Sequence, residues 1–460
     1  MKLPFLRRTG PGNRLTLADR LRQLALLGLV ALFCLYLAGA TAGYFWLHEG
    51  RKVEQVGFFD VAFLRVRAVR RAIAVQQFAK AEAELKEKNY QAAYVAYFSA
   101  LVQDPDNIPG RLAAAGFLRA VGAAALAQNM LEEGLARAPE ERRLIEPVFD
   151  LLLSTGLDRH ALELLHKLYP SGLAGTHALL LQTYELQATL TADGPQPAKQ
   201  LLSRYPGLVN HPAAAPVIAR VYWESAERLK AIKLQQEYIR SQPATYPDYV
   251  RLAGWQTAAG DAEAAIKTAQ LAVAKFPADL PPRVLLIDTR AAAAPDGRPQ
   301  LGDVEAYLRN YASRPEAMLL LAQLAGNRGW VDLARILYEI GVPRQGNLPL
   351  LALAYSDALM TKARFNEARA LLAEVEAQAP EGNLNFAIQL RQRQIIAAAA
   401  VGDTANVREQ ARRLGSALGN HPDGLEVCRR LFLKLGIPDA VDELTPRTGK
   451  ARPVVPAKKK

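Results

Sequence analysis

Residues 89–105 read NYQAAYVAYFSALVQDP. Within them Tyr97, Ala100 and Pro105 follow Ala93 at offsets of 4, 7 and 12, so the first three positions share one face of a helix and the proline closes it. Small side chains at Ala93 and Ala100 let that face lie close to a neighbouring helix, while the Tyr97 ring fills the gap one turn on. The pattern returns one period later: Pro139 lies 34 residues beyond Pro105, with Ala127, Leu131 and Gly134 at the same offsets. Ala265, Ala269, Ala272 and Pro277 repeat it, with Gly260-Asp261 as the turn before them and Pro243 34 residues before Pro277. Ala368, Leu372, Val375 and Pro380 do so once more, after a turn at Arg364-Phe365-Asn366.

Two helices per period of this length, with small residues on the second, resemble the tetratricopeptide repeat (TPR). Less regular units fall between: Gly156 to Pro170 around Ala161, Pro195 to Pro206 around Ala198, and Gly329 to Pro343 around Ala334. A last pair is expected from Asn385 through Gly402-Asp403 to Pro422, and the stretch 281–300, with Pro295-Asp296-Gly297, reads as a helix and an inserted loop. The resemblance covers residues 72–444 and implies an all-α fold, a right-handed α-solenoid of TPR-like helix pairs preceded by one transmembrane helix. Composition agrees, since 50% of residues are hydrophobic but only 7% aromatic, and abundant Ala and Leu favour helices over sheets.

In such proteins the first helix of each pair lines a concave groove that holds peptides or helices. The resemblance implies groove positions at Phe78, Glu82, Leu85 and Lys86, then at Leu112, Gly116, Arg119 and Ala120, then at Val250, Gly254, Thr257 and Ala258. A lysine and asparagine clamp for peptide C-termini, known in some TPR domains, has Phe78/Glu82, Leu112/Gly116 and Val250/Gly254 in its place here. Chaperone-tail binding is therefore not supported.

Leu24 to Leu47 carries no charge over 24 residues, a helix about 36 Å long against a hydrocarbon core of about 30 Å. Tyr44 and Trp46 stand at its distal end, where amphipathic rings favour headgroups. A cleaved signal peptide is the rival, with small residues at Ala38-Gly39-Ala40 and Ala40-Thr41-Ala42. The bias of basic residues toward 1–23 predicts a cytoplasmic N-terminus and a periplasmic repeat domain, the protein crossing a bacterial inner membrane once. Gly39 and Gly43 form a GxxxG pair, a possible seam for a homodimer in lipid. Residues 48–71 are expected to form a juxtamembrane helix or linker in which Phe58, Phe59, Phe63, Leu64 and Val66 alternate with Arg65, Arg67, Arg70 and Arg71, a basic amphipathic surface suited to anionic lipid. The tail 445–460, with three prolines and six basic residues, is expected to be disordered.

The net charge of +12 suggests a nucleic-acid partner until it is divided along the chain: segments 1–23, 48–71 and 445–460 carry +5, +3 and +6, leaving about −2 for 72–444. A phosphate-binding body needs a clustered basic face, so nucleic acid is excluded as partner. The two cysteines, Cys34 and Cys428, provide neither a disulfide framework nor a zinc site. His160 and His166 are six apart, off the spacing that puts two ligands on one helical face, and neither HExxH nor a P-loop occurs. Carboxylate pairs Glu132-Glu133 and Glu140-Glu141 sit at expected helix ends, as solvated charges. No catalytic, cofactor or metal residues emerge, and the expectation is a non-enzymatic, membrane-anchored TPR scaffold that binds proteins in bacterial envelope assembly or secretion. The alternatives are an accessory helical enzyme domain within 281–445 and a soluble periplasmic form released by cleavage.

Overall fold

The structure is a computed structural model that describes residues 17–51, 53–170, 172–173, 175–341, 348–378, 384–419 and 422–444. Expectations for residues 1–16, for Pro343, Pro380 and His421, and for the tail 445–460 lie outside those residues. All regular structure among the described residues is helical, and the chain folds as two compact bodies, Met1–Ala192 and Asp193–Lys460.

The first body opens with the long apolar helix α1 (Leu17–Phe45), closed by a π-helical turn at Trp46–Gly50, then a short helix α2 (Phe58–Ala62). Three helix pairs follow: α3 (Val66–Lys86) with α4 (Tyr90–Gln103), α5 (Ile108–Ala120) with α6 (Ala124–Arg137), and α7 (Arg142–Ser154) with α8 (Asp158–Leu168). Helix α9 (Ala178–Ala192) completes the body. Thus α3 begins six residues before Ala72 and takes in the end of the expected linker.

The second body starts with α10 (Pro195–Arg204) and α11 (Pro206–Val209), then runs in pairs. These are α12 (Ala215–Glu224) with α13 (Arg228–Ser241), α14 (Tyr246–Ala258) with α15 (Ala262–Lys275), and α16 (Pro281–Ala293) with α17 (Leu301–Tyr311). Next come α18 (Pro315–Arg328) with α19 (Val331–Gly341), α20 (Leu348–Thr361) with α21 (Phe365–Gln378), and α22 (Leu384–Ala400) with α23 (Thr404–Ala417). The pair at Gly402-Asp403 is not the last, because α24 (Pro422–Lys434) and α25 (Pro438–Leu444) form another beyond it. The proline that was expected to end one unit instead starts the next helix, where a missing N–H costs nothing.

Local chemistry explains each turn. The residue between paired helices is left-handed at Lys88, Gly122 and Gly156, at Ala226 and Gly260, at Gly329 and Ala363, and at Gly402 and Gly436. Within each of these groups the spacing is 34 residues, so backbone conformation reports the period even where side chains do not. The next residue often caps the second helix: Asn89 accepts from the Ala92 N–H at 3.4 Å, Asp261 from Ala264 at 3.0 Å and Asp403 from Asn406 at 3.1 Å. Near Ala363 the turn precedes its expected place, and Phe365 and Asn366 already lie in α21. Between α16 and α17 the turn is longer; Trp330 Nε1 donates to the Gly297 carbonyl at 3.0 Å and Arg290 pairs with Asp303 at 2.5 Å across it.

Packing follows the small-residue positions. Ala93, Ala100, Ala127, Ala265, Ala269, Ala272 and Ala368 are fully enclosed, as are Ala161, Ala198 and Ala334 of the less regular units. Successive repeats of the second body are also tied by ion pairs roughly one period apart, among them two-pronged Arg328 to Asp288 at 2.6 and 2.8 Å and Arg393 to Asp357 at 2.8 Å on both prongs. Paired helices with a 34-residue recurrence and small-residue seams make this a TPR-like helical-repeat fold preceded by one apolar helix.

A non-glycine residue in the left-handed region bears about 1–2 kcal/mol of strain. Lys88→Gly, Ala226→Gly and Ala363→Gly should each raise stability by about 0.5–1 kcal/mol after the added freedom of the unfolded chain is subtracted. Urea titration followed by circular dichroism would read this as a higher midpoint; a lower midpoint in all three would contradict the turn assignment.

Candidate protein-binding grooves

Helix α4 is apolar on nearly every side, which in a water-soluble helix usually means burial on every side. Here Ala93, Ala96, Tyr97, Ala100 and Leu101 are buried, yet Tyr94, Phe98 and Val102 stand on the opposite face at four-residue intervals, with Phe98 54% and Val102 61% exposed. The Tyr94 and Phe98 rings stack at 6.3 Å. Leu126 of α6 is exposed beside them, and the two second helices enclose a groove of about 420 Å³ between them.

The floor of this groove comes from α5. Arg111 is buried there, donating to the Met130 carbonyl at 2.7 Å and the Pro105 carbonyl at 2.8 Å, with Glu133 at 3.8 Å. Room for it exists because α6 has glycine at position 134: a Cβ there would stand 2.3 Å from Arg111 Cδ. Burial pulls the Arg111 guanidinium below its ordinary pKa and Glu133 opposes the pull; guanidinium keeps its proton in either case. The rim carries Glu133 and Arg137, paired at 3.0 Å. An apolar trough with a charged rim and a fixed cation beneath it suits the apolar face of a helix or an extended segment.

On the side of the first helices, Leu85, Tyr90, Gly116, Phe117, Ala120 and Val121 line a second hollow of about 590 Å³. Three of the positions implied by the TPR resemblance, Leu85, Gly116 and Ala120, are brought together here. Phe78, Leu85 and Leu112 are half-buried against the core of the first body, and the Phe78 ring lies so close to Gly110 that a Cβ there would stand 2.0 Å from it. Glu82, Lys86 and Arg119 are exposed. In the second body Val250 is exposed, and Thr257 is half-buried with its hydroxyl donating to Ala253 O at 2.9 Å. Of the glycine pair in α1, Gly39 faces open space while Gly43 meets Val61 of α2, Cγ1 standing 3.3 Å from an ideal Cβ.

A third hollow, about 330 Å³ and polar, lies within the segment where an enzyme domain was the alternative; Asn366, Arg369, Glu376, Gln394, Asn406 and Gln410 line it. Its one lining carboxylate, Glu376, is already engaged, and its Arg369 is held by Asp403 from outside the lining. Glu376 has Arg391 at 3.3 Å and Arg413 at 3.7 Å, and Asp403 has Arg369 at 2.6 Å while capping α23. The lining contains no histidine, cysteine or serine, the usual residues for nucleophilic or general-base work. His160 pairs with Glu132 at 2.9 Å and His166 with Glu185 at 3.3 Å, in two separate contacts. Among the described residues no group of three or more His, Cys, Asp or Glu could hold a metal ion.

The stripe on α4 escapes a search for repeat positions, because its members fall between the signature residues. Its signal in the sequence is the excess: a TPR second helix needs apolar groups at Ala93, Tyr97 and Ala100, and α4 adds Tyr94, Phe98 and Val102 at four-residue intervals on another face.

No protein-family model matches the chain, and no curated protein does. Among solved structures the chain is similar to one from a functional characterisation of Pseudomonas aeruginosa pilF, at 16% identity over 46% of this chain and 95% of that one, with a TM-score of 0.33. It is also similar to Naa15/Naa10 bound to HypK-THB, at 14% identity over 86% of this chain and 73% of that one, TM-score 0.30. Yeast Tom70 is similar at 11% identity over 79% of this chain and 96% of that one, TM-score 0.29. At such scores these likenesses carry no argument about function, and the fold rests on the packing described above.

Replacing Arg111 by methionine roughly keeps the volume but takes the side-chain donor away from the Pro105 and Met130 carbonyls, of which only the second retains a helical partner. Arg111→Met should cost about 2–4 kcal/mol, whereas Arg137→Ala on the exposed rim should change stability by less than about 0.5 kcal/mol. Equal urea midpoints for the two variants would remove Arg111 from its place as the groove's floor.

Proposed function

We propose that this protein is a membrane-anchored docking scaffold, held by α1 and offering its helical repeats to one or more protein partners. The observation that carries the proposal is the exposed ridge of Tyr94, Phe98, Val102 and Leu126, a cluster of large apolar side chains that the chain's own core does not use. Aromatic anchors at a trough with a charged rim are what protein interfaces are built around. The hollow at Leu85, Gly116 and Ala120, with Glu82, Lys86 and Arg119 exposed nearby, is the second docking face of this proposal.

Among the described residues one helix is long and apolar enough to cross a membrane, Leu24–Gly50, and its most apolar window is only 6% buried. In this proposal it stays attached. Cleavage after Ala40 or Ala42 would separate Tyr36 from the Ala62 carbonyl that its hydroxyl donates to, leaving α2 without part of its support. Basic residues concentrated ahead of the span favour a cytoplasmic N-terminus, which puts the repeats in the periplasm of a Gram-negative cell, in an envelope assembly or secretion process. A homodimer seam in lipid falls to the open side of Gly39, because Gly43 faces Val61.

A photo-crosslinking amino acid placed at Phe98 and, separately, at Arg119 in the full-length protein in cells should yield discrete adducts with another protein at one or both sites. The same group at Lys275, an exposed charged residue at the end of α15, should give none. Adducts to lipid alone, or only to a second copy of this chain, would defeat the docking function.

A further inference from the structure

The segment after α1 turns back along it. Chain rise places Tyr36 about 16 Å from Leu47, toward the N-terminus, and its hydroxyl donates to the carbonyl of Ala62, at the end of α2. Val61 fills the space that Gly43 leaves open, and Phe58 meets Tyr44 edge to face at 6.0 Å. Helix α2 is therefore fastened beside the distal half of the apolar helix. Its outward side is bare: Phe59, Phe63, Leu64 and Val66 are all more than half exposed, Leu64 by 70%. The rings form an unbroken series, Phe45 to Tyr44 at 5.7 Å, Tyr44 to Phe58 at 6.0 Å, Phe58 to Phe59 at 5.8 Å and Phe59 to Phe63 at 6.0 Å. The apolar surface of α1 thus continues onto α2.

Leu64 strengthens the point. It occupies the left-handed residue that ends α2 (φ 49°), with its N–H on the Val61 carbonyl at 3.1 Å and the Arg65 N–H on the Asp60 carbonyl at 2.8 Å. This is a helix stop that favours glycine. A leucine there strains the backbone while its side chain stays outside the core, so the fold gains nothing from it.

Leu47, by contrast, ends the uncharged run but is buried with Val53, Val56 and Ala72 in a small core of protein. Gln76 of α3 donates to the Arg51 carbonyl at 2.8 Å, closing that core from above. Arg67, Arg70 and Arg71 lie on the first turns of α3, and Arg65 stands 3.6 Å from Asp60.

We infer that α2 and the first two turns of α3 form an interfacial wedge: Phe59, Phe63, Leu64 and Val66 enter the acyl boundary of the leaflet at the distal end of α1, and Arg65, Arg67, Arg70 and Arg71 meet its anionic phosphates. The inference rests on α1 crossing the membrane and adds where the bilayer stops. The lipid surface lies beside the Gly39–Tyr44 stretch and not at Leu47, so the first repeat pair stands directly on the membrane. Amphipathic surfaces with this distribution settle into the headgroup and acyl boundary, and arginine stems let the charge reach phosphate while the methylenes stay in lipid.

The test uses the full-length protein with Cys34→Ala, its buried Cys428 retained, in vesicles of phosphatidylcholine and phosphatidylglycerol at a 3:1 ratio. An environment-sensitive fluorophore is attached at Phe59→Cys, Phe63→Cys, Leu32→Cys or Gln91→Cys. Labels at 59 and 63 should emit to the blue of the label at 91 and lose most of their intensity to lipids with a quencher near the headgroup. The label at 32 should respond to a quencher deep in the acyl chain. Labels at 59 and 63 that behave as at 91, while 32 is quenched, would overturn the wedge and leave the anchor standing. An unquenched label at 32 would instead remove the spanning helix on which the inference rests. Arg67→Glu with Arg70→Glu should reduce the quenching at 63 in these vesicles, bringing it to the level found in pure phosphatidylcholine; unchanged quenching would overturn the role of the arginines.

Discussion

Close approach of helices through small side chains is the constraint on which the rest of this structure depends. Alanine at 93, 127, 265 and 368, each without exposed surface, lets paired helices meet at a distance that larger residues would prevent. Glycine serves the same end at 110, against the Phe78 ring, and at 326, where a Cβ would stand 2.7 Å from the Ala354 carbonyl oxygen. A helix pair cannot enclose its own apolar faces, so each depends on its neighbours for stability. Between repeats of the second body the apolar seams are accompanied by ion pairs such as Arg328 with Asp288 and Arg393 with Asp357.

Where α1 meets the repeats, the chain is more ordered than a linker. Leu47, Val53, Val56 and Ala72 make a small core, and α2 is pinned to α1 by a hydroxyl, a glycine contact and a ring pair.

The two faces of the first body differ in kind. The hollow on the first helices is shallow and follows from the repeat itself, whereas the trough between α4 and α6 depends on residues that repetition does not require. Arg111 beneath it shows how such a feature is supported: one buried cation ties the Pro105 carbonyl, outside any helix, to the Met130 carbonyl of α6, and the Gly134 position provides the space. Removing the cation would disturb both the floor and the helices that form the walls.

Amino-acid order by itself determined the helical class, the 34-residue period, the enclosed small residues and the apolar helix, because each is written as residue type at short, fixed offsets that helix geometry converts directly into a face. The same local rule identified Gly260, Gly402 and their capping aspartates as turns. It placed the turn near Phe365 slightly late and stopped one pair short at Pro422, since helix ends are set by competing caps and not by periodicity. Only tertiary structure decided which apolar side of α4 would be covered, that Arg111 would lie inside, that Gly43 would receive Val61, and that α2 would fold back to Tyr36. Each of these joins residues distant in sequence, and for a helix that is apolar on several faces, burial is chosen by its neighbours.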